Sequence, residues 1–270
     1  MGGFRRSVPE IAGYTLDELL GSGSFGDVWR AHATISGAPV AIKVARVAEL
    51  IRHEARVLAA IRHPGVVHVF HTAELPDGRA AMVHELLDGA SLREALTAGR
   101  RFREDEALEI GAALLAALGA IHAAGFLHRD VSPDNIVLTA RGAVLTDLGV
   151  AGQREPAFGG STVPGQFAGK VGYMSPEQAL GMSQSPRSDL WAAALVVGEM
   201  LTGRPILRQE PGETPTSVVE RLLAADFDLS GIPPRFHPFL RACLAPDEGE
   251  RPRDAVAAAR LLGAAGGQAR

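Results

Sequence analysis

The stretch HRDVSPDN at residues 128–135 decides how this chain is read. A histidine, an arginine and an aspartate are followed by a proline turn, a second aspartate and an asparagine, which puts two carboxylates and one carboxamide on a short irregular segment. Asn135 is the single asparagine in 270 residues, and lysine occurs only at 43 and 170 among 27 Lys plus Arg. This Ala- and Arg-rich usage reads as a mutational bias that replaces Lys and Asn wherever they are dispensable. The survivors then mark places where Arg or Asp would not serve, because Arg cannot imitate the compact ammonium of Lys at every site.

Composition narrows the function classes. The chain is 46% hydrophobic and 21% charged, which suits a globular protein with a full core. A net charge of −4 gives no basic surface for nucleic acid or a polybasic membrane contact. One cysteine, Cys243, cannot form an internal disulfide and fits a reducing compartment. The opening MGGFRRSVPE has no apolar h-region, and Arg6 stands where a myristoylation signal needs Ser or Thr. The apolar run at 111–127 contains His122 and reads as a buried core helix. The expectation is a soluble, cytoplasmic chain with no nucleic-acid or membrane partner.

Outward from HRDVSPDN, the texture differs on the two sides. YTLDELLGSGSFGDVWRAH predicts two antiparallel strands around a glycine loop, and APVAIKVA a third. A helix is expected over 49–62, from the spacing of Leu50, Val57, Leu58 and Ile61. GVVHVFHTA and AAMVHELL predict two more strands joined by the turn LPDGR. After 88–89 helices take over, at 92–98 and 104–124, with a small strand-and-loop insert at 126–149. Residues 151–172 are rich in Gly, Pro, Ser and Thr and read as a mobile loop. Helices return at 189–201, 216–225, 238–243 and 254–262, and the final AAGGQAR is expected to fray.

The glycine loop spells Gly21-x-Gly23-x-x-Gly26-x-Val28. Alone this pattern is weak, because dinucleotide-binding folds use it too. Strands on both sides and AIK at 41–43 discriminate. With these residues in place, the chain resembles a bacterial Ser/Thr protein kinase of the eukaryotic-like type, from about 14 to about 262, with the family's motifs in order. The resemblance implies an α+β, bilobal kinase fold: a small sheet-rich N-lobe with one main helix, and a larger helical C-lobe. The domain is expected at 14–265, divided into 14–87 and 88–265, with a lead-in at 1–13 and a tail at 266–270.

The resemblance also implies roles, ATP with Mg2+ (or Mn2+) as cofactor, and Ser/Thr-bearing protein substrates in bacterial signalling. Lys43 resembles the lysine that grips the α- and β-phosphates, with Glu54 as its helix partner. Glu49 is the rival, but lies too near Lys43 for the helix to form in between. Gly21, Ser22, Gly23, Ser24 and Gly26 would cover the phosphates, and Val28, Ala41 and Val137 would sandwich the adenine. Glu85 and Leu87 in VHELLDG would bond the base, with His84 as a wall residue behind it. Asp130 matches the catalytic base, and Asn135 and Asp147 (in DLG) the metal ligands. Arg129 matches an arginine that receives a loop phosphate, with Ser161 and Thr162 as acceptors. A loop needing no phosphate is the equal alternative. Glu177 and Arg251 resemble a buried ion pair, and Asp189 the helix aspartate that holds the catalytic-loop backbone.

Two positions depart from the family pattern together. Ser132 stands where the catalytic-loop lysine is usual, and Lys170 stands where a threonine hydroxyl is usual. The site needs one compact cation near Asp130 and one small hydroxyl, so Lys170 is read as replacing the missing lysine. Competing readings are a pseudokinase with a nucleotide-binding or scaffolding role, and a small-molecule kinase of the aminoglycoside type. GYMSPEQ, Asp189 and Arg251 argue against the latter. Pro133 favours the Ser/Thr over the Tyr loop form.

Overall fold

The computed structural model describes residues 8–23, 26–45, 47–148, 172–207, 214–225 and 227–267. The chain forms two compact units, one of residues up to Arg62 with Val67–Asp88, the other of His63–Val66 with residues from Gly89 onward.

The first unit is an antiparallel sheet and a helix. Strands β1 (Tyr14–Ser22), β2 (Gly26–Ala33), β3 (Pro39–Ala45), β4 (Val69–Glu74) and β5 (Ala80–Glu85) lie in the order β1-β2-β3-β5-β4. The period of two sends Val40, Ile42 and Val44 of β3 into one cluster with Ile11, Leu75 and Val83. Ala41 and Lys43 therefore share the opposite face, and the β2–β3 register sets Val28 beside Lys43. Helix α1 (Ala48–Ala60) buries Ile51, Glu54, Ala55 and Leu58, a spacing of three and four that forms one stripe. It ends at Ala60, two residues short of the sequence expectation, because Ile61 turns extended ahead of His63-Pro64.

The second unit holds β6 (Gly89–Ser91), α2 (Leu92–Thr97), α3 (Glu104–Ala123), β7 (Ile136–Thr139), β8 (Gly142–Leu145), α4 (Pro176–Ala179), α5 (Pro186–Thr202), α6 (Pro215–Leu223), α7 (His237–Cys243) and α8 (Ala255–Gly267). Strands β6-β7-β8 form a small antiparallel sheet. Helix α3 is long and apolar enough to cross a membrane by length and composition. Here its Leu114, Leu115, Leu118 and Ile121 are sealed within the unit, where it packs against α5, α8 and β8. Gly111 lets that packing close, since a Cβ there would lie 2.8 Å from Leu262. Two elements differ from the sequence reading. Strand β6 was absent from it, being three residues long and defined only by its pairing with β7. Helix α8 runs to Gly267 where fraying was expected from Ala264, because Ala258, Leu262 and Ala265 continue its buried stripe.

Candidate active site

In the first unit, β1 and β2 close the glycine turn, with Gly23 N–H donating to the Gly26 carbonyl at 2.9 Å. Gly26 is at φ 153, and a Cβ there would meet the Val44 carbonyl oxygen at 2.2 Å, so no other residue fits that crossing. Gly21 and Ser22 pair with Val28 and Asp27, and the Ser22 hydroxyl donates to Asp27 at 2.5 Å. Ser24 lies outside the described residues.

Lys43 leaves the face of β3 opposite the hydrophobic cluster and meets α1. Its Nζ donates to both Glu54 oxygens, at 3.0 and 2.9 Å, and both side chains are buried. The rival Glu49 sits in the first turn of α1, exposed, and pairs with Arg52. Ala41 is buried and Val28 half-buried. At the end of β5, the His84 ring Nδ1 lies 3.0 Å from the Glu85 carbonyl, which can only accept, so Nδ1 carries the proton. The Glu85 carboxylate accepts from His68 N–H at 2.9 Å, and Leu87 is half-buried.

In the second unit, residues 128–135 form a turn pinned from several sides. Asp189 of α5 accepts the backbone N–H groups of His128 (2.9 Å) and Arg129 (2.8 Å) and the His122 ring Nε2–H (2.7 Å). Burial pushes the pKa of His128 down, so its ring is neutral. Its Nε2–H donates to the Thr146 carbonyl at 3.1 Å, which leaves Nδ1 to accept from Asp130 N–H at 3.3 Å. Arg129 holds φ 66 and Asp147 φ 51, left-handed backbone that a Cβ disfavours. The buried Nε of Arg129 has no hydrogen-bond partner among the described residues.

Asp130 and Asn135 are brought together. The Asn135 amide donates to the Asp130 carbonyl (2.7 Å) and to its carboxylate (3.0 Å), which turns Oδ1 into the atom able to meet a cation. The Asn135 carbonyl accepts from Thr146 N–H at 2.9 Å, which ties the exit of β8, next to Asp147, to the same turn. Ser132 is buried and its carbonyl accepts from Asn135 N–H at 3.0 Å, and Val137 follows half-buried on β7. Among the described residues no group of three or more His, Cys, Asp or Glu could hold a metal ion. A carboxamide and a carboxylate oxygen alone suit a hard cation that takes its other ligands from phosphate and water.

Arg251 donates to both oxygens of Glu177 (2.8 and 2.9 Å), and Glu177 also accepts from Ser188 at 2.6 Å. Burial alone would raise the Glu177 pKa. The hydrogen bonds from Arg251 and Ser188 outweigh it and hold the group at about 2. Lys170, Ser161, Thr162 and all but one residue of the expected loop at 151–172 lie outside the described residues.

Three groups in this region were missed by the sequence reading. Arg93 of α2 reaches Asp134 (3.2 Å), Glu199 (2.8 Å) and the Tyr173 hydroxyl (2.5 Å), and that hydroxyl donates in turn to Glu199. His122 braces Asp189. Gln178 of α4 donates to the Arg129 carbonyl at 3.0 Å. Only the Glu/Gln three residues after a Ser carries a local signal, that of a helix cap.

Residues 14–260 match the family model described as the protein kinase domain. The chain is 35% identical over 225 residues to the probable serine/threonine-protein kinase PknB of Corynebacterium glutamicum, covering 79% of this chain and 34% of that protein. It is 38% identical over 198 residues to the serine/threonine-protein kinase pkn2 of Myxococcus xanthus, covering 68% and 24%. It is 36% identical over 204 residues to PknA of Mycobacterium tuberculosis, covering 71% and 47%. The chain thus spans between about a quarter and a half of the length of these relatives.

Proposed function

Because this chain belongs to the protein kinase domain family, we propose that it transfers the γ-phosphoryl group of ATP to Ser and Thr hydroxyls of proteins, in a Mg2+-dependent reaction. The domain is taken to run over 14–265, in a reducing, cytoplasmic setting. The observation that carries the reading is the single turn joining Asp130, Asn135 and the approach to Asp147.

In this reaction the substrate hydroxyl oxygen bonds to the γ-phosphorus, its proton passes to an Asp130 carboxylate oxygen, and the bond from γ-phosphorus to ADP breaks. Asn135 Oδ1 and the Asp147 carboxylate would hold Mg2+. That ion, when bound, neutralises charge on the phosphate oxygens. Lys43, steadied by Glu54, would grip the α- and β-phosphates, and Gly21, Ser22, Gly23, Ser24 and Gly26 are the residues proposed to cover them. In the first unit Val28 and Ala41 would contact the adenine and the backbone at Glu85 and Leu87 would bond it, with His84 as a wall residue; in the second unit Val137 is the residue that the family resemblance assigns to the adenine. The neutral His128 takes no proton from the reaction and holds the Asp130 backbone by accepting its N–H.

Lys170 is proposed to supply the ammonium that Ser132 does not, with Ser132 as the hydroxyl. A charge pair ~4 Å apart at an effective dielectric of ~20 interacts by about 4 kcal/mol, enough to matter to turnover wherever the chain carries it. The Arg129 Nε, without a partner among the described residues, supports a role in receiving a phosphate carried by Ser161 or Thr162. A scaffolding pseudokinase draws no support from relatives that carry kinase names.

Phosphosite mapping after incubation with Mg-ATP tests the proposal. New phosphate on Ser or Thr, lost in Asp130→Asn, is the expected result. No transfer to any hydroxyl by the wild type would sink it. Lys170→Ala is expected to lose ~10²–10³ in turnover, and near-wild-type turnover would reject its role.

A further inference from the structure

Arg129 holds a left-handed backbone immediately before Asp130, and its two neighbouring peptide groups are gripped by different elements. On the N-terminal side, Asp189 of α5 accepts the N–H groups of His128 and Arg129. On the other side lies the peptide joining Arg129 to Asp130. Its N–H meets His128 Nδ1 at 3.3 Å, and its carbonyl accepts from Gln178 Nε2 at 3.0 Å. That one peptide plane is therefore clamped at both ends, and it sets where the Cα of Asp130 lies.

The Gln178 amide has a second duty. Its Oε1 accepts from Ser175 N–H at 3.0 Å and from the Ser175 hydroxyl at 3.1 Å, which completes the capping box of α4. Both partners fix the orientation of the amide. The Ser175 N–H can only donate, so it faces Oε1, and the Arg129 carbonyl can only accept, so it faces Nε2. One half-buried carboxamide thus joins the start of α4 to the backbone that aims the candidate base.

We propose that Gln178 is a positioning residue for phosphoryl transfer, acting through the Arg129–Asp130 peptide. The proposal rests on the function argued above. Glutamate is the discriminating substitution, because Glu and Gln serve equally as the third residue of a capping box. Gln178→Glu keeps the cap of α4 and places an oxygen without a proton against the Arg129 carbonyl. Gln178→Ala removes both contacts.

Three measurements on the full chain test it: steady-state kinetics, thermal unfolding and amide hydrogen exchange across residues 128–130. Gln178→Glu is expected to lower kcat by ~10–100-fold, the penalty of a small misplacement of a catalytic group, with the KM for ATP and the Tm unchanged. Exchange at the Arg129 and Asp130 amides should quicken. Gln178→Ala should lose turnover and Tm together. A Gln178→Glu kcat within about twofold of wild type would overturn the proposal and leave Gln178 a cap alone. If the wild type transfers no phosphate, the kinase reading fails, and exchange alone decides the brace. Faster exchange in Gln178→Glu then sustains it, and unchanged exchange removes it.

Discussion

Lys43–Glu54 in the first unit and Arg251–Glu177 in the second are both buried and both doubly bonded, yet they are built differently. The Arg251 guanidinium spends its remaining donors on main-chain carbonyls, of Ala245 (2.7 Å), Pro246 (3.1 Å) and Arg187 (3.3 Å), and lies 4.8 Å from the Trp191 ring centroid. Its fork is matched to fixed acceptors, so the pair joins α4, the start of α5 and the segment before α8 into one structural knot. Lys43 brings a compact ammonium with rotatable donors, and its partner sits on a helix whose N-cap, Val47, offers no side-chain hydrogen bond. By contrast Ser175 and Ser185 cap α4 and α5 through their hydroxyls. The second unit is locked around its ion pair by capped helices, while the first holds its ion pair on a helix that is buried along one stripe but has no side-chain N-cap.

That contrast can be broken experimentally. Arg251→Ala leaves Glu177 buried without its partner and is expected to cost about 3–5 kcal/mol, read as a lower urea midpoint. Lys43→Met should lose ~10²–10³ in turnover, about 2.7–4 kcal/mol of barrier, with a smaller fall in the urea midpoint than Arg251→Ala. Equal stability losses in the two variants would erase the distinction.

Acid provides the third test. The Glu177 pKa is depressed in the fold, so its contribution is complete above the unfolded value of 4.5 and is lost as pH falls toward about 2. The shift corresponds to about 3 kcal/mol. His128 adds an earlier slope of the same sign. It is buried neutral, so stability begins to decline as pH drops below about 6.5, where the unfolded ring charges. Unfolding free energies measured from pH 7 to 2 should show both, and Glu177→Gln should flatten only the lower one. The smallest effect is at α1. Val47→Ser, at an exposed N-cap, should stabilise the helix by about 1 kcal/mol, visible as slower hydrogen exchange along α1.

Legibility in the sequence followed the range of the interaction. The strands β1 to β5 show their apolar, β-branched runs and glycine turns locally, α1 shows its periodic stripe, and α5 its continuous apolar run, so each was readable to within a few residues. Strand β6 was not, because three residues carry no period and only β7 defines them. Among candidate site residues, Lys43, Asp130, Asn135 and Asp147 were named from the family resemblance of their motifs, with Lys43 and Asn135 further marked by the scarcity of their residue types. Arg93 was not, since its acceptors Asp134 and Glu199 lie 41 and 106 positions away. Gln178 was visible only as a helix cap; its contact with Arg129 spans 49 positions.

By itself the sequence determined the family resemblance and the order of all the main elements but β6, and it nominated the acid, amide and ammonium groups of the candidate site, because local motifs and residue scarcity carry that information. The preference for Glu54 over Glu49 as the partner of Lys43 was already in the sequence, and the pair is seen in the fold. Only the tertiary structure decided that His128 is neutral with its proton on Nε2, and that Arg129 is gripped by α4 and α5 together. Those outcomes depend on burial and on hydrogen-bond partners distant in the chain. Desolvation and donor geometry act on atoms brought close in space, and no spacing along the chain records them.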